Sequence, residues 1–312
     1  MAEDYIKDIV MNKFDELVQE KIDSGACEEA INELINSDTV DQIYRQTLDD
    51  FSNESVEVIE QIMFEKVLNE NAYVDEFLAR QNQKWGKAFV ASDVLYLCVL
   101  ESAEQYTEYV TEVHNGETSF LYHALRNIHG RALQIYLEIM CLNRNGFADG
   151  AYARWRSLYE LSIVSSFIKK HGEKVAEAYI KSAETNDSYE WARTADCWKD
   201  YKGKYVSFNA IQKRCELATK EWKKEYDFVN KLVHASSQGT MYRLGADTAI
   251  VLPVGRSDHG MAISAMHSAI SLFQITSDFF TVFPHGDSTA AILTFHKLVD
   301  RIAFYYKEVE GH

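Results

Sequence analysis

Apolar residues recur at helical spacing along almost the whole chain. Ile6, Val10, Phe14, Leu17 and Val18 mark one face of a first helix over 3–23, closed by Ser24-Gly25. Similar stretches predict helices over 26–36, 38–51 and 54–80, with Asn53 as the cap of the last. A block with Trp85, Phe89, Val94, Leu95, Leu97, Val99 and Leu100 runs over 85–113 and ends at His114-Asn115-Gly116. The next helix begins after Glu117-Thr118-Ser119 and runs to Asn145-Gly146. Another spans 149–171, and so short a link between the two predicts an antiparallel hairpin at the centre of the scaffold. Beyond it the spacing predicts helices over 173–186, 187–200, 206–219 and 221–236, then 259–283 and 286–309 on either side of Pro284-His285-Gly286. The period changes over 239–253, where two short β-like runs flank Gly245-Ala246-Asp247. The pattern predicts an all-α multi-helix bundle with one short β-hairpin near 240–253. It divides into an N-terminal module over 1–80 and a core domain over 81–312.

Composition supports long helices: only Pro253 and Pro284 punctuate 312 residues, and 46% hydrophobic residues suffice for a substantial core. No apolar run has the length of a membrane span, and Met1-Ala2-Glu3-Asp4-Tyr5 does not open a secretory leader, so a cytoplasmic location with no membrane partner is expected. Cys27, Cys98, Cys141, Cys197 and Cys215 stand singly, as reduced thiols do, and no metal or other cofactor is expected. The net charge of -16 is unevenly placed. The first 70 residues hold five Lys or Arg against nineteen Asp or Glu, whereas the remainder is nearly balanced. The acidic helices suit a basic protein partner, and the body has no electrostatic objection to RNA.

Three clusters of polar residues interrupt apolar helices. In Ala151-Tyr152-Ala153-Arg154-Trp155-Arg156-Ser157-Leu158-Tyr159-Glu160, Arg156 and Glu160 share a face with Tyr152, Tyr159 and Ile163, while Arg154 lies opposite with Ala151, Leu158 and Leu161. Buried guanidinium groups need partners, so the segment is either an internal ion-pair network or the floor of a site. A second cluster follows Tyr226: Asp227, Asn230, Lys231 and His234 fall within a ~100° arc, with Phe228, Val229 and Leu232 turned away. His234, near a helix end, is a candidate general acid or base or else a capping residue tied to Asp227. The third is His123, Arg126, His129, Gly130 and Arg131, where Gly130 allows a ligand to approach Arg126, or where the charges pair with Glu138 or Glu160. Phosphate-binding Gly-rich loops, the dinucleotide fingerprint and the serine-hydrolase elbow are all missing from the sequence.

Residues 123–163, with a His and an Arg-Ala pair before a hydrophobic helix and then Asn-Gly-x-x-Asp-x-Ala-x-x-Arg-x-Arg-Ser-Leu-x-Glu, resemble the domain-of-unknown-function family DUF5677. The Tyr226–His234 helix and the β-like excursion are similar to it too, over roughly 85–300 in all. That resemblance implies an all-helical bacterial domain and no particular activity. A weaker similarity is to the HEPN superfamily, in which an Arg and a following His on one helix cleave RNA without a metal, usually across a dimer. Its Arg-x4-6-His spacing is replaced here by Asn230, Lys231 and His234, so an arginine of the 149–171 helix would have to supply the charge.

Two functions follow as expectations. In the first, a metal-independent ribonuclease or nucleic-acid-acting effector of a defence or stress response uses His234, Arg156 and Glu160 in catalysis. Arg154, Asn230, Lys231, Arg126, His129 and Tyr226 then bind substrate. In the second, a non-catalytic interaction or sensor protein binds a partner through its acidic helices. The aromatic content and long amphipathic helices suit a homodimer in either case.

Overall fold

The structure, a computed structural model, describes residues 2–35, 38–114, 119–185, 189–199, 201–217, 220–233, 237–241, 244 and 254–311. Its α-helices are α1 (Ala2–Asp23), α2 (Glu28–Ile35), α3 (Thr39–Val113), α4 (Phe120–Arg144), α5 (Ala148–His171), α6 (Glu173–Lys181), α7 (Phe208–Gln212), α8 (Lys220–Val233), α9 (Ser237–Met241), α10 (Met261–Phe280) and α11 (Gly286–Glu310). The fold is all-α, with no strand among the described residues. Most of the expected β-hairpin falls on 242–243 and 245–253, outside the described residues; its first residues are instead helical, in α9. No helix among the described residues is long and apolar enough to cross a membrane.

Two compact units divide the chain, Met1–Asp75 and Glu76–His312, with the boundary inside α3. The three helices expected over 38–113 form this single 75-residue helix. No proline interrupts it, and Asn53 sits in mid-helix instead of capping one. The neighbouring Ser52 hydroxyl donates back to the Leu48 carbonyl at 2.6 Å, a bond that leaves the helical ladder intact. In the first unit only Ile6, Val10 and Thr47 are fully buried among the described residues.

The second unit has a deep core. Ser119 caps α4 by accepting from the Tyr122 amide at 3.2 Å, and the Asn145-Gly146-Phe147 turn returns the chain along α5. Gly146 has φ +77, and a Cβ there would meet the Phe77 ring at 2.5 Å and the Ser257 carbonyl at 2.8 Å, so only glycine fits the turn. Helix α10 packs on both α4 and α5 because its inner face is built of small residues, Ala262, Ser264, Ala265, Ser268, Ala269 and Ser271. Their hydroxyls serve the neighbours: Ser264 donates to Asn143 at 2.9 Å, and Ser271 accepts from the Trp155 indole at 3.2 Å.

Helices expected over 187–200 and 206–219 are corrected to the 3-10 turns Glu190–Thr194 and Asp196–Trp198 and the short α7. Trp191 and Trp198 each reach the Phe167 ring, at centroid distances of 6.0 and 6.2 Å. Packing two indoles around one phenyl ring overrides the helical spacing of this stretch.

Asp278 of α10 shows how the core treats an acid. Burial pushes its carboxyl up to about 6, against the lowering effects of Ser165 and Lys169. A raised folded pKa favours the folded state while the acid is protonated. That contribution is complete below the ordinary value of 3.8 and is lost as pH rises through about 6. Asp278→Asn is therefore expected to raise Tm above neutral pH and to flatten its fall across this window; an unchanged Tm–pH profile would contradict the shift.

Candidate functional site

Arg154, Arg156 and Glu160 of α5 lie on its half-open side. The side chains of Arg154, Arg156 and Glu160 are 27%, 30% and 26% exposed, so these charges line a seam and are not sealed in the core. The sequence pattern suggested a helix buried all round. Its open strip, Ala153, Arg154, Arg156, Ser157, Glu160 and Leu161, is flanked by fully buried Trp155, Leu158 and Tyr159.

Arg156 donates through Nε to Glu160 Oε1 at 3.1 Å, one turn away, and its guanidinium lies 5.7 Å from the Tyr226 ring centroid. Tyr226 of α8 donates its hydroxyl to the same Glu160 oxygen at 2.6 Å. Burial, then the bond to Glu160, push the Tyr226 phenol up to about 12. Burial opposes the charge on Arg156, but the bond with Tyr226 and the Glu160 carboxylate outweigh it and hold its pKa above the ordinary value. An arginine of α5 thus reaches the helix that carries Asn230 and Lys231.

Arg154 closes on Glu138 of α4, and Arg131 approaches the same carboxylate at 3.9 Å. The bond from Arg154 is the main reason that the Glu138 pKa is lowered. Beside this pair opens a cleft of about 370 Å³, to which Arg131, Arg154, Ser157 and Glu160 contribute polar groups and Tyr179, Tyr189 and Trp191 contribute rings. Phe208 lies between Tyr189 and Tyr226, with ring centroids 6.2 and 5.4 Å away, so the aromatic surface continues from the cleft to α8. Glu160 belongs to both the cleft and the Arg156–Tyr226 cluster.

The other candidates are not gathered here. Asn230 is half-buried, its Oδ1 sealed without a hydrogen-bond partner, while Asp227 and Lys231 are exposed; the polar arc expected on α8 is split between inside and outside. Phe228, expected to turn away from that arc, is 40% exposed. His234 lies outside the described residues. Arg126 is exposed beside a separate shallow groove with Glu104, Glu108 and Gly130. His129, expected to bind substrate, lines the same groove as Arg126 but is held in the core wall. It is 2% exposed, its Nε2 is 3.1 Å from the Thr276 hydroxyl, and burial lowers its pKa to about 4, so it is neutral near pH 7.

Sequence reasoning missed the cleft's aromatic wall and the neighbouring cluster of Glu225 and His267. Tyr152 donates to Glu225 at 2.5 Å, and His267 stands 5.0 Å from both the Trp155 and Trp222 rings. The close pair Tyr189 and Trp191 was a visible signal, hidden by the helix expected there.

Residues 122–249 match the family model of DUF5677, a family of unknown function. Every residue of the cleft and of the Arg156–Glu160–Tyr226 cluster falls inside that segment, which is narrower than the expected 85–300 and excludes α10 and α11. No curated protein and no solved structure matches the chain.

Proposed function

We propose that the α5 cleft takes an unpaired stretch of RNA and that the adjoining α5–α8 face cleaves it without a metal. One observation carries this reading: a single opening sets Arg131 and Arg154 beside Tyr179, Tyr189 and Trp191. Guanidinium groups suit phosphate, and aromatic faces suit unstacked bases, the combination by which single strands are held. Since Arg131 and Arg154 share Glu138, an incoming phosphate competes with a carboxylate, and stacking contributes more than charge to affinity. In this reading Arg156 stabilises the transition-state charge, Glu160 fixes its orientation, and the exposed Lys231 steers the phosphate. His234, which follows α8 in the sequence, supplies the acid or base.

Photocrosslinking tests the cleft. Thiouridine-substituted single-stranded RNA irradiated with the full-length protein is expected to leave adducts on the peptides carrying Tyr179 or Tyr189, and a duplex of the same sequence to leave none. Adducts confined to residues outside 122–249, or equal labelling by the duplex, would remove the basis for this reading.

A further inference from the structure

The first unit carries an apolar surface that the α5 chemistry does not use. Within α3, Val56, Ile59, Met63, Phe64, Val67 and Leu68 are all exposed, Phe64 at 72% and Leu68 at 68%. At ~100° per residue they fall within about half of the helix circumference, at the i, i+3, i+7, i+8 spacing by which a helix presents anchors to a partner. Glu57 and Glu60 fall within the same half, so exposed apolar anchors alternate with carboxylates, as on interaction sites for charged partners. The surrounding charge selects among partners: Glu54, Glu57, Glu60, Glu65, Glu70 and Asp75 stand against Lys66 alone. Two copies laid side by side would set carboxylates against carboxylates, whereas a cationic partner would find each of them a counter-charge.

We infer that α3 over 56–68 is the docking surface for a basic amphipathic helix of a partner protein. The partner's apolar face covers Val56, Met63, Phe64 and Leu68, and its flanking Lys or Arg residues meet the glutamates. This stands apart from the RNA reading, because it uses no residue of the second unit.

The probe is a synthetic Leu/Lys amphipathic helical peptide, titrated into the full-length protein by fluorescence anisotropy beside its Leu/Glu counterpart. The Leu/Lys peptide is expected to bind and the Leu/Glu peptide not to. Phe64→Ser with Leu68→Ser, at positions already in water, is expected to weaken binding by about tenfold or more with unchanged helicity. Equal affinity of the double variant would mean that net charge alone attracts the peptide, and equal binding of the Leu/Glu peptide would remove the charge selection; either overturns the inference. So does a wild-type dimer by light scattering that becomes monomeric in the double variant, since a second copy would then cover the surface.

Discussion

Trp155→Ala is expected to destabilise the second unit by about 3–5 kcal/mol, the cost of truncating a large buried aromatic residue. Trp155 has no exposed surface, stacks on Tyr152 at a centroid distance of 5.0 Å and an interplanar angle of 9°, and packs against Tyr159, Trp222 and His267. Three helices meet on this one side chain: α5 bears it, α8 brings Trp222, and α10 brings His267 and the Ser271 hydroxyl that accepts its indole proton. Removing it opens a cavity and takes away the hydrogen bond to Ser271. For a unit of this size the loss corresponds to a fall in Tm of roughly 6–20 °C. Leu293→Ala on α11, at a position 61% exposed, should shift stability by no more than roughly 0.5 kcal/mol. Comparable thermal shifts for the two variants would show that α5 is not the centre of the core.

Much of this core is legible in the sequence. Ser119 before an apolar helix and Asn145-Gly146 after it delimit α4, and the short link to α5 leaves little choice but a hairpin. Pro284 and Gly286 separate α10 from α11 just as directly. Other boundaries are not written locally. Asn53 has the chemistry of a cap, yet the chain on both sides continues helical because nothing stops it. The segment over 187–200 has helical spacing, yet Trp191 and Trp198 are drawn onto Phe167, which lies more than twenty residues earlier in the sequence.

The site divides along the same line. Arg156 and Glu160 are one helical turn apart, so their pairing follows from spacing alone. Their third partner, Tyr226, comes from another helix 66 residues later, and only the packing of α8 on α5 reveals it. The polar cluster around His129 has the same appearance in sequence as the one in α5. Packing divides its members: His129 sits beneath Thr276 and Phe279, whereas Arg126 and Arg131 are exposed and Arg131 lines the α5 cleft. Periodicity gives a residue's face on its helix but not what covers that face.

The proposed chemistry makes a larger demand on one residue. Cleavage of RNA beside a 2'-hydroxyl forms a bond from that oxygen to phosphorus and breaks the bond to the 5'-oxygen. A general base takes the 2' proton and, as the conjugate acid so formed, delivers it to the leaving 5'-oxygen, while a cation meets the charge of the intermediate. Arg156 is fixed as that cation by Glu160 and Tyr226, and the Tyr226 phenol, pushed up to about 12, keeps its proton near neutral pH. In this reading the proton transfer falls to His234, because imidazole is the side chain suited to it near neutral pH. General acid or base catalysis contributes about 10²–10⁴-fold, and His234→Ala should lose it while Arg156 and the cleft still bind.

Incubation of the purified full-length protein with single-stranded RNA in EDTA, wild type beside His234→Ala, tests this account most directly. The account predicts cleavage by the wild type and a loss of about 10²–10⁴-fold in the variant at unchanged Tm. A well-folded wild type that leaves the RNA intact, or a variant that cleaves as fast as the wild type, would contradict it.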